Sequence, residues 1–175
     1  VSDWSSDVCS SDLSAGISAT DFSGRFRIIS NRFFRNVATN GGGAVHLSNE
    51  FNSETVADIA FRRNEFLKNQ GGTAAAIQFL GFGSSRYFDR SRSHLAIHRC
   101  RFISNVGNHC GAIHISGSAD LRTRKSTFLK NSAEDGGAIC LSRASTAQIS
   151  DSDFLENLAQ FGGGISARGN SLAYI

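Results

Sequence analysis

The chain has no proline and no methionine, two tyrosines and a single tryptophan. Without proline nearly every backbone amide can donate to a ladder, and no strand is interrupted by a ring that blocks its partner. The 18 glycines must then supply the bends. No apolar run is long enough to cross a bilayer as a helix. No phosphate-cradling glycine loop and no Ser/His/Asp order can be read, because the glycines open apolar segments rather than helices.

Residues 1–13, Val-Ser-Asp-Trp-Ser-Ser-Asp-Val-Cys-Ser-Ser-Asp-Leu, read like a short-read sequencing adapter translated in frame. They are therefore expected to stand outside the structured unit, which is placed at 14–175. This segment holds Trp4, Cys9, Asp3, Asp7 and Asp12, so the remainder has no tryptophan and three cysteines, and its net charge rises from 18 − 15 = +3 to 18 − 12 = +6. With Ile175 falling inside a repeat, the chain reads as an internal piece of a longer gene. The lack of a leader or membrane segment then carries no information.

What is present is repetition. A Phe and an Asn three apart occur five times, as Phe33/Asn36, Phe66/Asn69, Phe102/Asn105, Phe128/Asn131 and Phe154/Asn157, at spacings of 33, 36, 26 and 26 residues. Downstream of each comes a small-residue run closed by an aliphatic: Gly42-Gly43-Ala44-Val45, Ala74-Ala75-Ala76-Ile77, Cys110-Gly111-Ala112-Ile113, Gly136-Gly137-Ala138-Ile139 and Gly162-Gly163-Gly164-Ile165. Two residues on stand Leu47, Phe79, Ile115, Leu141 and Ala167. Upstream of each Phe stand Phe26/Ile28, Ile59/Phe61, Leu95/Ile97, Leu121/Thr123 and Ala147/Ile149. These pairs alternate with period two, the mark of strands.

Each unit thus offers three short strands and three bends, whose inward faces are buried only when units stack. The expected fold is all-β, a single-stranded parallel β-helix solenoid of about five to six coils, with coils about 4.8 Å apart. Stacking would align a Phe column, an aliphatic column and an Asn column whose amides bond along the axis. An α-solenoid is the alternative, and the glycine runs and period-two pairs count against it. Ala15-Gly16-Ile17-Ser18-Ala19 resembles Gly163-Gly164-Ile165-Ser166-Ala167, so a partial coil is expected to begin after residue 13. The next Phe would be residue 180, which predicts truncation at both ends and self-association through uncapped coils. Insertions at 48–56 and 80–93 fall at the same junction of successive coils and should project from one side.

The Phe-x-x-Asn pairs and the Gly-Gly-Ala-Ile type runs resemble the passenger region of chlamydial polymorphic outer membrane proteins and related bacterial right-handed β-helix surface proteins. The likeness covers nearly all of 15–175. It implies a right-handed helix in a secreted autotransporter, displayed extracellularly or at the outer membrane and used for adhesion.

The candidate chemistry lies on outward positions. Arg62 and Arg63, then His98, Arg99 and Arg101, then Arg124 and Lys125 fall on three successive coils and would form a basic strip, flanked by Arg86, Arg90 and Arg92 with Tyr87 and Phe88. Such a strip suits an acidic polysaccharide or lipopolysaccharide, host-surface or otherwise, or nucleic acid, although no specific nucleic-acid motif is present. A plain solvated bend is the alternative. Asp151 and Asp153 stand two apart, a separation compatible with general acid and base roles, without acidic neighbours on stacked coils. Glu134-Asp135 lacks the Gly/Asp nonapeptide of calcium-binding β-rolls.

His46, Gln78, His114, Cys140 and Ser166 form an outward column expected to be a solvent-facing ladder, with too few ligands for zinc. No metal or cofactor is called for. Cys100 falls in an inward slot shared with Asn31, Asn64, Ser126 and Ser152. Cys110 and Cys140 are expected to point outward about 13 Å apart, beyond disulfide reach, leaving three free thiols that argue against an oxidising compartment.

The leading functional expectation is a non-catalytic β-helix shaft of a bacterial surface or secreted protein, for adhesion or glycan contact. The alternatives are a fragment of a pectin lyase-like polysaccharide lyase or glycoside hydrolase, and a structural spacer.

Overall fold

Wherever apolar and polar residues alternate, the chain is extended, and each extended segment hydrogen-bonds to its counterpart one repeat away. The computed structural model describes residues 10–11, 16–20, 24–48, 56–81 and 92–175. Within them four sheets, all parallel, wind as a right-handed parallel β-helix. One coil runs through Ser93–His98, Arg101–Ile103, Val106–Gly107 and Ile113–Ser116, one segment in each sheet. These four define a long-strand sheet, a phenylalanine sheet, a two-residue sheet and an aliphatic sheet. The two-residue segment was not foreseen, because two residues are too short to display an alternation.

The register matches the repeat columns. Ile17, Val45, Ile77, Ile113, Ile139 and Ile165 pair in succession, as do Phe33, Phe66, Phe102, Phe128 and Phe154. Ile17–Thr20 is thus the partial first coil expected from its likeness to the last. Ser10–Ser11 pair with Val37–Ala38, whereas the rest of 1–13 lies outside the described residues. Both long connections leave the aliphatic sheet, after Ser48 and after Leu80, and return to the long-strand sheet. In the next coil Gly117 and Ser118 suffice for that junction.

Two features hold the stack. The inward phenylalanines lie face over face, their centroids 4.7 Å apart for Phe33/Phe66 and for Phe66/Phe102 and 4.8 Å for Phe102/Phe128. Beside them runs the asparagine ladder. Asn69 donates both its backbone N–H (3.0 Å) and its side-chain amide (2.9 Å) to Asn105 Oδ1, and Asn105 does the same to Asn131 Oδ1 (3.1 and 2.9 Å). Each amide also reaches back to a phenylalanine carbonyl, as in Asn105 Nδ2 to Phe66 O at 3.0 Å.

Each asparagine is preceded by a residue in the left-handed region: Arg35, Lys68, Ser104, Lys130 and Glu156, with φ of 53–55°. The corner after the long strand uses the same device at Ser30, Arg63, Arg99, Lys125 and Asp151. There the next residue, Asn31, Asn64, Cys100, Ser126 or Ser152, occupies the shared slot inferred from sequence. Its side chain caps backbone groups, as when Ser126 Oγ accepts the Cys100 N–H at 3.2 Å and donates to Arg124 O at 3.0 Å. Left-handed geometry costs about 1–2 kcal/mol per non-glycine residue, and no β-branched residue stands at either corner.

Candidate functional site

The first left-handed corner gathers the predicted basic strip. Arg62, His98 and Arg124 are register partners at the ends of adjacent long strands, and Arg63, Arg99 and Lys125 follow them as the left-handed residues. Their fields converge on His98, whose imidazole is held below its ordinary value by partial burial and then by Arg99, Arg62, Arg124 and Lys125. At neutral pH it therefore adds no charge of its own.

Not all six predicted cations are equally available. Arg124 Nε lies 3.2 Å from Asp151, and Arg101 Nη1 lies 2.9 Å from Glu65, around the corner on the phenylalanine sheet, where Arg32 also approaches Glu65 at 3.7 Å. Arg62, Arg63, Arg99 and Lys125 have no ion pair among the described residues. Arg92 does not flank the strip. It stands just before the long strand, at its other end, where it bonds Asp120 Oδ1 at 2.7 Å and the carbonyls of Ala119 and Ala144 at 3.2 and 2.9 Å. Arg86, Tyr87, Phe88 and Arg90 lie outside the described residues.

Asp151 and Asp153 stay apart in role. The first is the left-handed residue paired with Arg124, and the second opens a strand opposite Thr127 with no acidic neighbour in register. Asp135 of the Glu134-Asp135 bend pairs with Arg168 at 2.6 Å.

The histidine column has the predicted register but not the predicted exposure. His46, Gln78 and Cys140 are buried, the first two because their polar atoms meet along the column instead of turning outward. His46 Nδ1 meets Gln78 Oε1 at 2.9 Å, and His114 Nε2 meets Ser142 Oγ at 3.0 Å. His114 Nδ1 is sealed off without a partner. Burial, then His109 and Arg143, push the His114 pKa down to about 4 from 6.5.

The unfolded chain therefore binds the extra proton between these two values. Stability contributed by neutral His114 is complete above pH 6.5 and is lost as pH falls toward 4. We expect a loss of roughly 3 kcal/mol over that window, measured as urea midpoints against pH. His114→Gln, which repeats the residue stacked above it, should flatten the slope; an unchanged slope would assign the acid sensitivity elsewhere.

The cysteine expectation is corrected. Cys110 and Cys140 form a disulfide with their Cα atoms 5.7 Å apart. The error lay in treating the four-residue offset from Gly136 to Cys140 as extended chain. Cys110 bridges Gly136 on the next coil, and the bend at Gly137 and Ala138 turns the strand back over that bridge. Both cysteines are buried with Ala74 in a small satellite cluster. Cys100 is the free thiol among the described residues, buried as expected, and burial raises its pKa.

The bond ties two coils across 30 residues of chain. Loop-closure entropy makes it worth about 3–4 kcal/mol. Cys140→Ser should lose that amount, and wild type in reductant should match the variant. Equal denaturant midpoints for oxidised wild type and variant would remove the disulfide from the stability account.

Sequence reasoning missed the outer face of the long-strand sheet, where Arg27, Ala60, Ala96 and Arg122 stack in one column. The signal was available in the period-two pattern: each lies between two inward residues already identified. Among the described residues no helix is long and apolar enough to span a membrane, and no three His, Cys, Asp or Glu side chains converge as metal ligands.

Fold and surface together define a parallel β-helix repeat protein with a cationic corner. Its repeats resemble the passenger region of chlamydial polymorphic outer membrane proteins: the family model of the Chlamydia polymorphic membrane protein repeat matches residues 125–142. That stretch runs from left-handed Lys125 through Phe128, Asn131 and the Gly136-Gly137-Ala138-Ile139 bend to the end of the aliphatic strand at Ser142. The match points to an autotransporter-like region and, by family resemblance alone, to the outer membrane or cell surface. No curated protein and no solved structure matches the chain.

Proposed function

We propose that this chain is a non-catalytic shaft of a bacterial surface protein, displayed outside the cell, that contacts acidic polysaccharide through its basic corner. The observation that carries the reading is the stacking of Arg63, Arg99 and Lys125 at one left-handed corner beside Arg62, without ion pairs among the described residues. Side chains at an outward bend on successive coils repeat at the strand spacing, about 4.8 Å. A polyanion lying along the helix axis could engage them in succession. The disulfide supports an oxidising location, since such bonds persist outside the reducing cytosol.

The test is affinity for heparin, a model acidic polymer, as a function of salt. Binding should weaken steeply as salt rises. A triple variant, Arg63→Asn, Arg99→Asn and Lys125→Asn, removes three cations while keeping a residue type that tolerates left-handed geometry. It should flatten the logarithmic salt slope by about one unit per cation. Salt-independent binding, or an unchanged slope in the variant, would reduce the corner to a solvated bend and leave the spacer reading.

A further inference from the structure

We propose that the outer face of the long-strand sheet holds a subsite for one acidic sugar unit, a uronate or a sulfated residue, seated over Ala60 and Ala96 and gripped by Arg27, Arg62 and Arg122. The inference deepens the polyanion reading and rests on it. Outward side chains of this sheet form a grid set by register: Arg27, Ala60, Ala96 and Arg122 in the central column, Asp58, His94 and Asp120 on one side, Arg62, His98 and Arg124 on the other.

Two methyl groups between two guanidinium side chains leave a depression of about 290 Å³. Three strand spacings separate Arg27 from Arg122, about 14 Å. Ligand pockets begin near 300 Å³, so this depression suits one sugar ring rather than a folded partner.

Its charge is one-sided. Asp58 lies 3.5 Å from Arg25, and Asp120 is held by Arg92 at 2.7 Å with His94 Nδ1 at 3.5 Å. The acids bordering the groove are therefore already answered, while Arg27, Arg62 and Arg122 have no ion pair among the described residues. Guanidinium groups bind carboxylate and sulfate oxygens as planar forks. The methyls of Ala60 and Ala96 offer an apolar seat for the C–H face of the ring, and Asp58 and His94 border it with hydroxyl-binding atoms. Arg62 belongs to both groove and corner, which would let one glycan chain pass from the sheet face onto the strip.

The experiment titrates the chain with a heparin-derived tetrasaccharide and, separately, with tetragalacturonate, following binding by calorimetry. Binding of the first alone assigns a sulfated source, and binding of the second an unsulfated uronate; either supports the subsite. Ala96→Phe fills the groove at an outward position without changing charge, and should lower tetrasaccharide affinity at least tenfold. An Arg27→Gln, Arg122→Gln double variant should do the same, with its thermal midpoint held near that of wild type.

The corner triple variant should keep its tetrasaccharide affinity within about twofold while losing affinity for the polymer. Undiminished binding by Ala96→Phe would overturn the subsite. Polymer binding by wild type with neither tetrasaccharide bound would overturn it while leaving the corner reading intact. Absence of polymer binding would end both.

Discussion

Asn105→Ala should destabilise the fold by about 1.5–4.5 kcal/mol, about 1–3 kcal/mol for a buried donor left without its partner and about 0.5–1.5 kcal/mol for a further hydrogen bond lost. The Asn69 N–H, which bonds Asn105 Oδ1 at 3.0 Å, is left without an acceptor, and Phe66 O, which also lies in the backbone ladder, loses its second donor, Asn105 Nδ2 at 3.0 Å. Asn69, Asn105 and Asn131 are fully buried, so water cannot substitute. Asn105→Asp separates hydrogen bonding from shape. It keeps the acceptor facing Asn69, but turns an oxygen toward Phe66 O and Asn131 Oδ1, where a donor is required. It should therefore be at least as damaging as alanine above the carboxyl pKa, and should recover partly in acid, where protonation restores a donor. Urea denaturation of the three proteins at two pH values checks this. An alanine variant within about 0.5 kcal/mol of wild type, the range of an ordinary surface change, would mean that the ladder relaxes along the stack.

Phe102→Ala should cost about 3–5 kcal/mol, the usual range for emptying a buried aromatic site. Its ring is sandwiched between Phe66 at 4.7 Å and Phe128 at 4.8 Å, with interplanar angles of 1° and 2°. A coil cannot close such a gap alone, because its register is pinned above and below by the backbone ladders through Arg101 and Ile103. Phe102→Leu retains much of the volume and should lose distinctly less than alanine. Equal losses for leucine and alanine would show that the ring-on-ring stacking, rather than the filled volume, supports the coil.

These two residues explain how much of the molecule could be read in advance. Phe102 and Asn105 recur at fixed distances from Ile97 and Ile113, and a period-two pattern has only one way to place each side chain. Column membership was therefore legible down to single residues, including the slot of Cys100 and the partners of His114. Distance across a bend was not. Cys110 and Cys140 were judged too far apart because rise per residue holds only in extended chain, and Gly137 and Ala138 are not extended.

Exposure was equally hard to foresee where polar side chains satisfy one another. His46 and Gln78 look like surface residues by type, yet their mutual hydrogen bond lets both be buried. The basic corner was visible as a cluster of cations. Which of them remain available was not, because Glu65 reaches Arg101 from 36 residues away in sequence.

What the sequence by itself determined is the stack: a parallel β-helix, its register, and the identity of its phenylalanine, asparagine and aliphatic columns, since a repeat that cannot bury its own apolar face has to bury it against the next copy. Only the tertiary structure decided what lies at the bends and on the outer faces. There the left-handed corners set the direction of Arg63, Arg99 and Lys125, a bend brings Cys110 to Cys140, and register four coils deep leaves Ala60 and Ala96 as a gap between guanidinium groups. Side chains buried in columns answer to periodicity, a local property of the chain. Charges, thiols and grooves answer to distances between coils, which no single repeat contains.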